Sequence, residues 1–155
     1  MRHSVGSLLI ALSLAACGGS SSQDVESASA ESTSGSEAQA SFSQIGVEEV
    51  AAALVAQPER IAVFDANSRE TYDEHHVPGA VWVDYDAVTA EQLPQDRETQ
   101  LVFYCANEQC SASHVAAETA HSLGYANVAV MGAGIQGWMA AGKPVETTNS
   151  AVAAE

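Results

Sequence analysis

The chain has 155 residues, the range of one ordinary domain, and carries 20 Asp and Glu against five Lys and Arg, a formal net charge of −15. That balance argues against nucleic acid or an anionic lipid surface as a partner of the folded part. It predicts a field that repels anionic substrates, although salt screens most of it beyond about 8–10 Å.

Residues 1–16 read as an export signal: Arg2 leads into the apolar run Val5 to Ala16, too short to span a bilayer as a permanent helix. The run closes on Leu14-Ala15-Ala16-Cys17, which resembles the lipobox of bacterial lipoproteins. The resemblance implies cleavage before Cys17, lipid on that cysteine, and a protein anchored in the bacterial cell envelope with its domain outside the cytoplasm. Gly18, where an aspartate would signal inner-membrane retention, points to the outer membrane of a two-membraned cell. An ordinary signal peptide cut after Ala16, leaving Cys17 as a free thiol, is the alternative. Residues 17–40 are Ser, Gly, Ala, Gln and Glu with almost nothing large enough to bury, which predicts a disordered tether. Residues 41–147 hold the domain, and 148–155 form a disordered tail.

Within the domain, short β-branched runs alternate with helical patterns, which predicts an α/β fold with a largely parallel sheet. Phe42 to Ile45 reads as a strand, and Val47 to Gln57 as an amphipathic helix with Val47, Val50, Ala51, Leu54 and Val55 on its apolar face, stopped before Pro58. Ile61 to Phe64 is a buried strand ending at Asp65. A polar stretch from Ala66 to His76 leads to the turn Val77-Pro78-Gly79 and the strand Ala80 to Val83. Asp86 to Leu93 reads as a weaker helix before Pro94, and Leu101 to Tyr104 as the most apolar strand of the chain. Ala112, Val115, Ala116, Thr119, Ala120 and Leu123 repeat at helical spacing up to the stop at Gly124. Val128 to Val130 is a last strand. Gly132-Ala133-Gly134 turns the chain into a short helix through Trp138, ended by Gly142 and Pro144.

Cys105 stands where the strongest strand ends and a loop enters a helix. In open α/β sheets, sites form beyond the carboxyl ends of strands, and a helix N-terminus favours an anion. The loop Ala106-Asn107-Glu108-Gln109-Cys110 is able to turn backbone N–H groups toward a sulfur anion, with Ser111 placed to cap the following helix.

Asp65, then Glu70, Tyr72, His76 and Pro78-Gly79-Ala80, then Tyr104-Cys105 with its loop, then Gly134-Ile135 and Trp138 through Pro144, resemble in order and spacing the rhodanese homology domain. The resemblance covers nearly all of Phe42 to Glu146. It implies a five-stranded, mainly parallel sheet with helices on both faces, and a cysteine, here Cys105, that accepts sulfane sulfur as a persulfide and hands it to a thiol or other nucleophile. A small sulfur donor, a thiol acceptor or a protein persulfide are the implied partners. A monomer is expected, with no metal and no cofactor. Ala106, Asn107, Glu108, Gln109 and Ser111 would line the substrate site, with Asp65 at the same rim as a structural or partner-holding carboxylate and Arg69 as a cation able to fold toward an anionic substrate.

The loop departs from active rhodaneses in lacking a basic residue, and Asn67 stands where many carry an arginine. A like charge such as Glu108 at about 6 Å, through an effective dielectric of about 40, disfavours a thiolate by about 1.4 kcal/mol, or about one pKa unit. A helix N-terminus returns about 0.3–1 kcal/mol. The expectation is a weakly activated Cys105 that uses the thiosulfate dianion poorly. Cys110 is a candidate resolving residue, since attack on a Cys105 persulfide would leave a disulfide, provided the two Cα atoms lie within about 7 Å. A static disulfide and a packed thiol are the alternatives.

A non-catalytic rhodanese-like binding module and a thiol-disulfide enzyme using the cysteine pair are the competing functions. A phosphatase or arsenate reductase is disfavoured, because Ser111 stands where those enzymes place the arginine that phosphoryl oxygens need. His75-His76 lacks a third metal ligand at suitable spacing. His114 reads as a solvated surface histidine, and Trp82 and Trp138 as core residues. Ala133 replaces the first glycine of the family's pair, which raises the question of whether a positive φ is needed there.

Overall fold

The computed structural model describes residues 42–148. The export signal, Cys17, the tether and residues 149–155 lie outside the described residues. The elements run β1 (Ser43–Gln44), α1 (Val47–Ala56), a single 3-10 turn, β2 (Ile61–Asp65), α2 (Arg69–Glu74), β3 (Val81–Trp82), β4 (Gln100–Tyr104), α3 (Ala112–Ser122), β5 (Val128–Val130) and α4 (Gly134–Ala140). The five strands form one sheet in the order β1-β5-β4-β2-β3 with every pairing parallel, so the expected α/β architecture holds.

Alternation along the strands divides the core into two layers. Phe64, Leu101, Phe103, Val128 and Val130 face α3, where they pack on Ala116, Ala117 and Ala120. Ile61, Val63, Val102, Tyr104 and Ala129 face the opposite side with Val50 of α1 and Ile135 and Trp138 of α4. The sheet is therefore covered on both faces, which is why its strands read as continuous apolar runs. Trp138 is core, its indole N–H donating to the Pro144 carbonyl at 2.7 Å.

Three sequence expectations need correction. No helix forms over Asp86 to Leu93, which instead makes isolated turns from Asp84 to Ala87, Thr89 to Gln92 and Ala90 to Leu93. Val88 and Leu93 are both buried there, and five residues of helix would set them about 140° apart. The Gln92 side chain also takes the Thr89 N–H, a bond that competes with helix. Second, the polar stretch after β2 contains α2, whose start is capped by the Ser68 hydroxyl accepting from Thr71 N–H. Third, Val47, Val50, Ala51 and Leu54 of α1 and Ala112, Ala116, Ala120 and Leu123 at α3 pack on the core as expected, but one valine of each stripe does not. Val55 is 86% exposed and Val115 39%, while Ser113 is buried in line with Ala116, Ala117 and Ala120.

The C-terminal segment is stitched to α2 and the turn after it. His76 and Glu146 exchange two backbone hydrogen bonds, both 2.9 Å, and Thr148, expected in the tail, donates to the Asp73 carboxylate at 2.6 Å. That hydroxyl, together with Arg69, holds the Asp73 carboxyl below its ordinary range. His76 is buried, stacked on Tyr72, and its Nδ1 lies 2.7 Å from the Tyr72 carbonyl oxygen. It serves the turn that the family resemblance implies. Among the described residues no cluster of three His, Cys, Asp or Glu is arranged to hold a metal, and no helix is long and apolar enough to cross a membrane.

Candidate active site

Cys105 continues β4 by one residue, so alternation sends Tyr104 and Cys105 to opposite faces. Cys105 joins the α3 layer, 2% exposed, and Tyr104 joins the layer of α1 and α4. This separates Asp65 from the cysteine. Asp65 pairs with Tyr104 in the β2–β4 register and shares its face, fully buried. Its carboxylate accepts from the Tyr104 hydroxyl at 2.6 Å and from the Asn67 backbone and side-chain N–H groups at 2.8 and 2.7 Å. The Tyr104 oxygen in turn accepts from Val77 N–H at 3.0 Å.

Asp65 is therefore a buried structural anchor that ties the ends of β2 and β4 to the turn at Val77, and not a substrate-binding group. Burial raises its pKa above the ordinary carboxylate value, against the lowering effect of the Tyr104 and Asn67 hydrogen bonds. Burial and the neighbouring carboxylate push the Tyr104 hydroxyl up as well, so it stays a donor. Tyr104→Phe would leave the Asp65 oxygen and the Val77 N–H without their partner. The expected cost is about 2–3 kcal/mol of unfolding stability, read from a urea midpoint at constant slope, against the usual net of about 1 kcal/mol for one neutral hydrogen bond.

Cys105 and Cys110 are joined in a disulfide, with their Cα atoms 6.2 Å apart. The loop is bent back by Asn107, whose carbonyl accepts from Cys110 N–H at 3.1 Å and whose side-chain oxygen accepts from Gln109 N–H at 3.0 Å. Its side-chain N–H₂ donates to Gln136 of α4 at 3.1 Å. The start of α4 holds the other side of the loop: Ile135 N–H donates to the Cys105 carbonyl at 2.9 Å and Gln136 N–H to that of Ala106 at 3.1 Å. Gly134 makes this approach possible. It has φ +61°, and a Cβ placed on it would lie 2.5 Å from backbone atoms of Cys105 and Ala106. Ala133 has φ −59°, so the alanine in place of the family's first glycine meets no conformational demand.

Around the Cys105 sulfur lie the Cys110 carbonyl oxygen at 3.2 Å and the Ser113 hydroxyl at 3.4 Å. Ser113 is buried in the first turn of α3 and was missed in the sequence reading. The signal was present: it stands three and four residues before Ala116 and Ala117 on the true buried face. Once the disulfide is reduced, this hydroxyl is placed to donate to a sulfur anion. Among the described residues no acceptor takes the N–H groups of Ala106, Asn107 or Glu108. Ser111 occupies the N-cap position of α3 but its side chain makes no cap hydrogen bond, so the expected capping role falls away. It is exposed and its carbonyl accepts from His114 and Val115 N–H.

Two open grooves flank the loop. One, of about 390 Å³, runs between Asn107, Glu108 and Gln109 and the α4 residues Gln136, Gly137 and Ala140. The other, of about 480 Å³, lies between Glu108, His114 and the residues around Gln44 and Gly132. Glu108 borders both, and neither contains Lys or Arg. Arg69 does not supply the missing cation. It lines neither groove; its Nε is 3.1 Å from Asp73, and its guanidinium lies 5.4 Å from the centres of the Tyr72 and Trp82 rings, so its contacts are with α2 and β3. Trp82 is only half-buried, its N–H donated to the Asn67 carbonyl at 2.9 Å. His114 is exposed, as expected of a solvated surface histidine.

Comparison with known proteins agrees with this geometry. Among solved structures, a Bacillus halodurans protein is 24% identical with a TM-score of 0.63, covering 73% of this chain and 82% of its own. A rhodanese-like domain from Anabaena is 20% identical with a TM-score of 0.59, over 72% and 85% of the two chains. A thiosulfate sulfurtransferase from Pseudomonas aeruginosa is 25% identical with a TM-score of 0.59, over 72% of this chain but 21% of that larger one. No curated protein sequence matches the chain. The sequence model of the rhodanese-like domain matches residues 47–141, from the first residue of α1 to just past the end of α4, with the Cys105 loop inside it. The chain belongs to the rhodanese-like domain family.

Proposed function

We propose that the protein is a sulfurtransferase of the cell envelope that, in its reduced form, takes sulfane sulfur onto Cys105 as a persulfide and passes it to a nucleophilic acceptor. The observation that carries this reading is the placement of the Cys105 sulfur at the C-terminal end of the central strand, 3.4 Å from the Ser113 hydroxyl, at the start of a loop whose Ala106, Asn107 and Glu108 N–H groups have no acceptor among the described residues. A thiolate attacks the donor's outer sulfur, and both that thiolate and the persulfide anion need donors of this kind. Membership of a family that includes sulfurtransferases supports it.

The surroundings of the loop set the donor. With Glu108 on both grooves and Arg69 held elsewhere, no cation receives the two charges of thiosulfate. Glutathione persulfide or a protein persulfide is therefore the favoured donor. At equal concentrations and neutral pH, glutathione persulfide is expected to load reduced Cys105 at least about tenfold faster than thiosulfate, a difference of about 1.4 kcal/mol in the barrier. Stopped-time alkylation of the remaining thiol measures this. Equal or faster loading by thiosulfate would defeat the assignment of donor.

Lipid on Cys17 would hold the domain at the membrane, with residues 18–40 giving it reach. Several acyl chains at about 0.8 kcal/mol per buried methylene make a stable anchor. Expressed in a bacterium with its own signal, the wild-type chain is expected in the membrane pellet and Cys17→Ser in the soluble fraction. A Cys17→Ser chain that still sediments with membranes would refute lipid anchoring.

A further inference from the structure

The Cys105 loop is held by non-covalent ties that need no disulfide: the Asn107 turn, the Asn107–Gln136 bond, and the two α4 N–H groups on the Cys105 and Ala106 carbonyls. A cross-link across five residues also closes a very short loop, the case in which constraint of the unfolded chain contributes least. The Cys110 side chain packs against the α3 core layer, a task that an apolar residue would serve without a thiol. What the loop does is bring the Cys110 sulfur to the one sulfur atom that the proposed chemistry uses, with Cα atoms at a separation typical of cysteines that bond without backbone movement.

We infer that Cys110 is the intramolecular acceptor for a Cys105 persulfide, so that the domain releases its sulfur as hydrogen sulfide and is left as the Cys105–Cys110 disulfide. The inference rests on the sulfurtransferase reading and names the acceptor of that same site. The Cys110 thiolate attacks Sγ of Cys105–S–SH. The new bond is Sγ–Sγ, the bond that breaks joins Cys105 Sγ to the outer sulfur, and hydrosulfide leaves with the electron pair and takes a proton. The outer sulfur is reduced to sulfide while the two cysteines are oxidised by two electrons. A small thiol or a dithiol reductant then returns the pair to thiols: two RSH become RSSR, and the overall change is a persulfide plus two thiols going to a thiol, hydrogen sulfide and a disulfide.

Proximity favours this acceptor over an external one, because Cys110 is already alongside Cys105, with their Cα atoms 6.2 Å apart. A reaction partner held on the same loop also avoids the entropy of a bimolecular encounter. The disulfide then has a regulatory consequence, since Cys105 in that state has no thiol to offer a donor until reductant is supplied.

The test uses the full chain carrying Cys17→Ser, so that Cys105 and Cys110 are its only cysteines, with and without Cys110→Ser. Both are reduced, freed of reductant, exposed to glutathione persulfide and desalted. Sulfide is then measured by methylene blue, and each chain is weighed intact with and without alkylation of free thiols. The chain that retains Cys110 is expected to release about one sulfide per molecule and to resist alkylation as the disulfide, whereas Cys110→Ser holds one extra sulfur and releases sulfide at least about tenfold more slowly. If the chain with Cys110 holds its persulfide and releases sulfide no faster than Cys110→Ser, the inference is overturned while the sulfurtransferase reading stands. If neither chain takes up sulfur nor yields sulfide, both are overturned together.

Discussion

Gly134→Ala is expected to cost at least about 3 kcal/mol of stability and to displace the Cys105 loop, because two separate penalties meet at that residue. The first is conformational: φ is +61°, where a residue with a Cβ pays about 1–2 kcal/mol. The second is steric. The Cβ would sit 2.5 Å from the Cys105 oxygen and from the carbon and oxygen of Ala106, all backbone atoms that cannot swing aside as a side chain would. Those same carbonyls are held by Ile135 and Gln136 N–H, so relief requires breaking the contact that positions the loop. Gly142→Ala supplies the comparison, since φ is +69° but nothing lies within 4 Å of the added carbon. It should cost only the conformational part. Urea midpoints of the two reduced variants, at equal slope, measure the difference, and equal losses would show that the close approach is not what Gly134 is for.

Cys105→Ser is expected to abolish sulfur handling, leaving less than about 1% of wild-type uptake, the scale of loss when the nucleophile of a covalent mechanism is removed. A serine hydroxyl fits the space of the thiol but does not attack sulfane sulfur at neutral pH. Under reducing conditions, where the wild type also lacks the disulfide, the variant should unfold within about 1 kcal/mol of wild type. The loss would then be one of chemistry and not of folding. The readout is the sum of sulfide released and protein-bound sulfur recovered by cyanolysis after treatment with glutathione persulfide. Uptake retained by Cys105→Ser would move the nucleophile elsewhere.

The strands that carry the site were legible because burial on both faces leaves a simple mark. Ile61 to Phe64, Leu101 to Tyr104 and Val128 to Val130 are continuous apolar runs, and each became a central strand. Helix phase was less legible where alanine and serine dominate. In α3 the buried positions Ser113, Ala116, Ala117 and Ala120 differ little in apolar character from the exposed neighbours, so a stripe drawn through Val115 kept Ala116 and Ala120 but left out Ser113 and Ala117. That error hid Ser113, whose hydroxyl lies 3.4 Å from the Cys105 sulfur. Asp65 was placed correctly at a strand end, but which face it points to depends on counting alternation back from Tyr104, and that count puts it on the side away from Cys105. Arg69 was a cation near the right place in sequence whose partners, Asp73, Tyr72 and Trp82, lie on α2 and β3.

Charge therefore gives the same account from two directions. A loop with Cys105 as its proposed nucleophile, a glutamate on both flanking grooves and no Lys or Arg lining them suits a persulfide, whose sulfur group carries at most one negative charge, better than the thiosulfate dianion. On the inferred route the second cysteine of the loop supplies locally the electrons that an external acceptor would otherwise bring.

The central claim is that reduced Cys105 itself accepts sulfane sulfur, and a single-cysteine chain tests it most directly. With Cys17→Ser and Cys110→Ser in place, only Cys105 remains. Reduced, treated with glutathione persulfide, desalted and weighed intact, this chain should gain the mass of one sulfur atom, which fragmentation should locate on Cys105. A chain of unchanged mass whose Cys105 still alkylates fully would contradict the claim.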